Sequence, residues 1–192
     1  MKSLCVYCAS STQVDKVYFE AAERLGMLLV RNNFKLVYGA GRRGLMGALA
    51  NAVLSANGKV TGVIPQFMIE QGWHNPDLTE LLITDSMHER KQTMATLADA
   101  VVALPGGCGT LEELLEIITW KQLGLFTKPV IILNINHYYD DLLNLLNKAA
   151  QQQFIRPEHL TMWQVCGDTD EVFATISSSK RWDRSFSKFA AV

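Results

Sequence analysis

Ala100-Val101-Val102-Ala103-Leu104-Pro105-Gly106-Gly107-Cys108-Gly109-Thr110-Leu111-Glu112-Glu113 joins an apolar run, a glycine turn and the first residues of a helix-period segment. Residues 100–104 show no polar alternation, which suits a strand buried on both faces. Three glycines then fall within four positions, followed by Thr110. Such a turn at a helix start is an anion cradle. Glycine lets the backbone approach closely, and the amides of Gly107, Gly109 and Thr110 face the oxygens of a phosphate. The Thr110 hydroxyl adds a further bond. No Lys precedes the Thr, so this is not the loop that binds a triphosphate with magnesium. A monophosphate fits better.

Working outward, the pattern of apolar run and helix-period segment repeats along the chain. Strands are read at 4–9, 35–38, 59–64, 81–84, 100–104, 130–134 and 165–166. Helices are read at 17–32, 44–57, 86–97, 111–123, 139–152 and 170–178. Gly58 is expected to cap the second helix, and Pro65 to stop the third strand. Residues 66–80 show no clear period and read as a loop, with room for a short helix. Val130-Ile131-Ile132-Leu133 is again apolar throughout. Strands alternating with helices imply a parallel sheet. The fold class is therefore α/β, a Rossmann-like doubly wound sheet in an α/β/α sandwich. Ligands of such folds bind at the carboxyl ends of the strands, near the point where strand order reverses. Residues 1–179 read as a single nucleotide-binding domain, and 180–192 as a polar tail.

Bulk properties narrow the partners. The chain has 192 residues, 48% hydrophobic and 19% charged, which is globular composition for one domain. A net charge of −1 gives no field to draw nucleic acid or an anionic membrane, so an anionic ligand must be held by local geometry. No leader and no long apolar span is evident, and the protein is expected in the cytoplasm. Cys5 and Cys8 have C-x-x-C spacing but lie in an apolar strand, so they read as structural thiols. No second pair completes a zinc site, and the histidines are scattered. No metal and no cofactor is expected.

A second glycine loop, Gly39-Ala40-Gly41-Arg42-Arg43-Gly44, matches G-x-G-x-x-G between a strand and a helix. It is expected near the phosphate or ribose of a ligand, though a tight turn alone would also require glycine. A dinucleotide site needs a carboxylate at the end of the next strand. That strand ends Val63-Ile64-Pro65-Gln66, so a nicotinamide oxidoreductase is disfavoured.

Two groups bring chemistry to the cradle. Thr110 to Glu113 has capping-box spacing, which gives Glu113 a structural reading. Ser86-Met87-His88-Glu89 has the same spacing and assigns Glu89 to a cap. The helix it opens places Met87, Arg90, Met94 and Leu97 on one face. Arg90 therefore falls within an apolar stripe, where a charge is costly unless paired; a carboxylate or a phosphorylated ligand is its natural partner, and a snorkelling Arg at the stripe's edge is the alternative. Arg90 and Glu113 flank the strand at 100–104 and can meet near its carboxyl end.

These residues together resemble the Lonely Guy (LOG) family. The resemblance rests on Met87-His88-Glu89-Arg90-Lys91 and on Pro105 to Glu113, which fits the pattern PGGxGTxxE. Gly44-Leu45-Met46-Gly47, Cys8-Ala9-Ser10-Ser11 and Thr119-Trp120-Lys121-Gln122-Leu123-Gly124 are also similar. It implies hydrolysis of the N-glycosidic bond of cytokinin riboside 5′-monophosphates or AMP, releasing base and ribose 5-phosphate. It also implies Arg90 and Glu113 as the catalytic pair and Gly107, Cys108, Gly109 and Thr110 as phosphate ligands. Ser10, Gly41, Met87, Lys91, Gly106, Leu111, Glu112 and Thr119 would lie about the substrate. A homodimer is the usual family assembly. Members are often labelled lysine decarboxylases, yet no pyridoxal-lysine motif stands here. The sequence departs from the family at Ala40, where many members have Gly, and over 66–85, which matches poorly. The competing reading is a non-catalytic carrier of a nucleotide or molybdenum cofactor, which needs the cradle but not Arg90 with Glu113.

Overall fold

The structure, a computed structural model, describes residues 1–183. Seven strands form one sheet: β1 (Lys2–Tyr7), β2 (Phe34–Tyr38), β3 (Val60–Pro65), β4 (Glu80–Thr84), β5 (Ala100–Ala103), β6 (Val130–Leu133) and β7 (Gln164–Cys166). Their order is β4-β3-β2-β1-β5-β6-β7, and every pairing is parallel. The helices are α1 (Lys16–Arg31), α2 (Gly44–Ser55), α3 (Gln66–Glu70), α4 (Met87–Leu97), α5 (Cys108–Gln122), α6 (Asp140–Gln151) and α7 (Val172–Ser178).

The unbroken apolar strands have the cause expected of them. Side chains alternate across a sheet, and here both faces are covered. Leu4, Val6, Leu36, Val102 and Ile131 pack with Leu25 and Leu29 of α1, Leu49 of α2 and Phe173 of α7. Cys5, Tyr7, Val37, Val101 and Ile132 pack on the other side with Met94 of α4 and Leu114 and Ile117 of α5. Each Val, Leu, Ile, Phe or Met among them contributes roughly 1.5–3 kcal/mol by leaving water. Cys5 and Cys8 are both buried, and burial pushes both thiols far above their ordinary range.

Several local expectations need correction. The second helix ends at Ser55, and Asn57 rather than Gly58 takes the left-handed position, with φ 58°. Gly58 is required for space instead. A Cβ there would lie 2.5 Å from Val30 and 2.7 Å from Val53. Pro65 does end β3, though from within it, as its last residue paired with Thr84. The 66–80 segment does hold a short helix, α3, for which the reading left room. The largest revision is at α5, which begins at Cys108 and not at 111. The glycine turn is thus partly the helix's own first turn, formed by residues of low intrinsic helix propensity.

Of the tail expected from 180, residues 184–192 lie outside the described residues. Its first part is packed: Trp182 joins the core on the α5 side, and its amide donates to the Thr127 carbonyl at 2.9 Å. Among the described residues no helix is long and apolar enough to cross a membrane.

The reversal of strand order falls between β1 and β5. Successive connections run one way from β1 to β4 and the other way from β5 to β7. Tyr7 stands level with Ala103, so the segments after β1 and β5 leave the sheet side by side and diverge. The crevice between them is where a ligand is expected.

Candidate active site

A cavity of about 630 Å³ opens at that crevice. Its walls come from the segments after β1, β2 and β3 and from the first turns of α4 and α5.

The cradle forms one wall. Gly107 is the N-cap of α5, no side chain caps the helix, and its first turn holds no acid. The first helical bond runs from the Leu111 amide to the Gly107 carbonyl, at 3.0 Å. The amides of Cys108, Gly109 and Thr110 precede it and carry the positive end of the helix dipole. A Cβ on Gly107 or Gly109 would meet nothing within 4 Å, so these glycines leave open approach to the backbone. Gly106 is different: its Cβ would lie 2.1 Å from the Thr110 hydroxyl oxygen. Behind the cradle, the Tyr138 hydroxyl donates to the Gly106 carbonyl (2.6 Å) and the Tyr139 hydroxyl to that of Leu104 (2.7 Å).

Because α5 starts early, the capping-box reading of Thr110 to Glu113 fails. Thr110 lies inside the helix, and Glu113 is turned inward, only 8% exposed. Glu113 follows Thr110 by three residues and Gly109 by four, so it shares their face of α5, about 5–6 Å from Thr110 between Cβ atoms. A ligand held by the cradle is thereby brought within a few bonds of this carboxyl. Burial raises the Glu113 pKa to about 7. Arg90 opposes that rise, Glu112 adds to it, and Lys91 and Glu116 have smaller, opposite effects.

Arg90 is 5% exposed, as its place in the apolar stripe predicts. Its Nε donates to the Val63 carbonyl at 3.0 Å and its Nη2 to that of Gly39 at 2.9 Å. Strand-end carbonyls therefore satisfy most of its fork, partners that helical periodicity had no means of naming. The remaining corner, Nη1, stands 3.9 Å from a Glu113 oxygen and 3.8 Å from the Met87 sulfur. The Arg90–Glu113 pair is thus close but open. Gly39 has to be glycine for this, since a Cβ there would fall 1.9 Å from Nη2. The box that opens α4 forms nearly as read. Ser86 accepts from the Glu89 amide at 3.1 Å, and Glu89 reaches back to the amide of Asp85 at 2.8 Å.

The lining includes Ser10, Gly41, Met87, Gly107, Cys108, Gly109, Thr110 and Glu112 beside Arg90 and Glu113. Four other expected substrate residues lie outside it. Gly106 is behind the cradle, and Leu111 packs against the core on the α5 side. Lys91 turns between α4 and α5, bonding Glu112 and also Glu116 at 3.1 Å. Burial depresses its pKa, but those two carboxylates outweigh burial and hold it above its ordinary value. Thr119 is exposed and donates to the Leu115 carbonyl at 2.8 Å.

The remaining wall was not legible in the sequence. Met46, Ile64, Met68 and Trp73 line it, together with Arg42 and Arg43. The segment 73–75 is laid against the first glycine loop: Arg42 N bonds Trp73 O at 3.2 Å, and Asn75 N bonds Ala40 O at 2.8 Å. The only cue was an excess of large apolar residues, Phe67, Met68, Ile69 and Trp73, in a stretch without period. The first loop does line the cavity, but α2 offers it less than α5 does. The Met46 amide is already bonded to the Ala9 carbonyl, at 3.2 Å.

A family model described as possible lysine decarboxylase matches residues 46–176. A cytokinin riboside 5′-monophosphate phosphoribohydrolase of Rhodococcoides fascians is 44% identical over 179 residues, 92% of this chain and 90% of that protein. The enzyme of the same name, LOG1, from Arabidopsis thaliana is 46% identical over 156 residues, covering 81% and 73%. Among solved structures, the molybdenum cofactor carrier protein of Chlamydomonas reinhardtii superposes with a TM-score of 0.71 at 16% identity, covering 92% of this chain and 97% of that one. The molybdenum cofactor binding protein of Rippkaea orientalis gives 0.70 at 20%, covering 93% and 97%. At that identity the likeness is one of fold.

Proposed function

The chain belongs to the Lonely Guy family of cytokinin riboside 5′-monophosphate phosphoribohydrolases, and on that premise we propose that it hydrolyses nucleoside 5′-monophosphates to free base and ribose 5-phosphate. The observation that carries the reading is the buried Arg90–Glu113 pair, set one helical turn from an open anion cradle. A carrier needs only the cradle.

The 5′-phosphate rests on the amides of Cys108, Gly109 and Thr110. Binding energy spent there orients the sugar at the reacting carbon. As the C1′–N bond breaks, positive charge grows on the ribose, and the Glu113 carboxylate stands to stabilise it. Water bonds to C1′ from the face opposite the base. Glu113 takes a proton from that water, the departing base nitrogen takes one from solvent, and Glu113 then returns its proton to solvent. Arg90 favours the ionised form of Glu113 and keeps Nη1 directed at the site. The apolar wall of Ile64, Met68 and Trp73 receives the base, plain adenine or its N6-prenylated form. The decarboxylase description attached to the family model would call for a lysine to hold pyridoxal phosphate, and no described lining residue is a lysine. The reading places the working protein in the cytoplasm as a homodimer. Exposed Leu115, Leu123 and Leu125, on and just beyond α5, suit a protein contact.

Purified protein, of measured mass in solution, is expected to release adenine or prenylated adenine from the matching 5′-monophosphates by chromatography. No base from any member of a nucleoside monophosphate panel would sink the reading. A monomeric mass would remove the dimer.

A further inference from the structure

We infer that Tyr138 is a positioning residue for the anion cradle, its hydroxyl fixing the Gly106–Gly107 peptide so that the Gly107 amide faces the bound phosphate; the inference rests on the function proposed above. The amides of Cys108, Gly109 and Thr110 are aimed by the helix that contains them. Gly107 is not. It is the N-cap, with φ −81° and ψ −160°, and its peptide joins two glycines, the most freely rotating residues. In a trans peptide the carbonyl and the following N–H point in opposite directions, and no described peptide is cis. The Tyr138 hydroxyl holds the Gly106 carbonyl at 2.6 Å. Gly106 and Tyr138 are outside the cavity lining and Gly107 is within it. Pinning the carbonyl on the outer side turns the Gly107 N–H inward, and the cradle gains a fourth donor.

The tyrosine is held for this task. It is 43% exposed, so burial of the ring does not by itself explain its place. Its ring meets Tyr18 edge-on at 6.0 Å and Tyr139 at 5.0 Å. The turn that delivers it sets Asn136 (φ 51°) and His137 (φ 60°) one after the other in the left-handed region. Two adjacent non-glycine residues there are unfavourable, and such strain clusters at functional sites. Asn134 stabilises the turn, accepting from the Tyr139 amide and donating to Asp140, both at 2.7 Å.

The test is Tyr138→Phe in the full chain, with Tyr18→Phe as a control that removes a hydroxyl from the same ring cluster. Calorimetric titration with inorganic phosphate and with ribose 5-phosphate reads the cradle without turnover. Tyr138→Phe is expected to weaken both by about tenfold, and to raise KM for the 5′-monophosphate by the same factor. kcat should stay within about twofold, the thermal midpoint near wild type, and Tyr18→Phe unchanged throughout. Unaltered phosphate binding in Tyr138→Phe overturns the inference. So does a fall in kcat alone, or a loss that merely tracks a fall in the thermal midpoint. A wild type that binds phosphate but releases no base sinks the hydrolase reading, while Tyr138 is still judged on the binding constant.

Discussion

In the proposed mechanism Glu113 concentrates the chemistry in one ionisation. Its pKa, raised to about 7 mainly by burial, makes the active carboxylate the form present above that value. kcat/KM should therefore climb with pH through about 7 and then level off. Stability runs the opposite way. The folded state keeps this proton to higher pH than the unfolded chain does, so stability falls as pH rises from the ordinary carboxylate range to about 7. The loss is at most about 3 kcal/mol. Glu113→Gln should abolish base release while retaining ribose 5-phosphate binding, and should raise the thermal midpoint at pH 8. Unchanged turnover would return Glu113 to a structural role. An unchanged midpoint would show that burial of the charge costs less than its position implies. The sequence offered Glu113 two roles because a helix start cannot be placed to the residue from glycines. Three residues of error at Cys108 separate a capping acid from a buried one.

Among the elements, the turn after β2 does what neither its motif nor its residues announce. Its glycines were read for a phosphate, and Gly39 turns out to make room for Arg90. The ideal Cβ of Gly39→Ala lies 1.9 Å from Nη2, the movable end of a long side chain, so the guanidinium will shift before the backbone does. The variant should lose about 1–2 kcal/mol of stability with the buried bond to the Gly39 carbonyl. It should lose about 100-fold or more in kcat/KM, because small displacements of a catalytic group are costly. Chemical denaturation beside kinetics separates the two, and full activity would show that Arg90 tolerates other seats. Ala40 in the same turn adopts φ 60°, the conformation that favours the glycine found in many family members. The turn's shape is thus kept where its sequence departs. The 66–80 segment was illegible for a related reason. Its residues answer to the first loop through Trp73 and Asn75, and contacts between distant backbones leave no period.

At the scale of the molecule, the parallel sheet, its two covered faces and the location of the crevice were all readable, because each follows from local periodicity and chain order. The packing of residues 180–183 was not, since a single tryptophan between charged neighbours carries no pattern. Trp182 closes the core on the α5 side, with Met162, Trp163 and Ile118 in the same cluster. Trp182→Ala should cost about 3 kcal/mol, seen as a lower urea midpoint. An unaltered midpoint would mean that Trp182 only rests on the surface. Arg90 is held by carbonyls from β3 and the β2 turn, whereas Glu113 and the cradle follow β5 on the other side of the strand reversal. In the proposed mechanism neither flank of the sheet has a working centre alone. Regained turnover during refolding therefore times the moment when the two flanks meet, and it should lag any signal that reports either flank by itself.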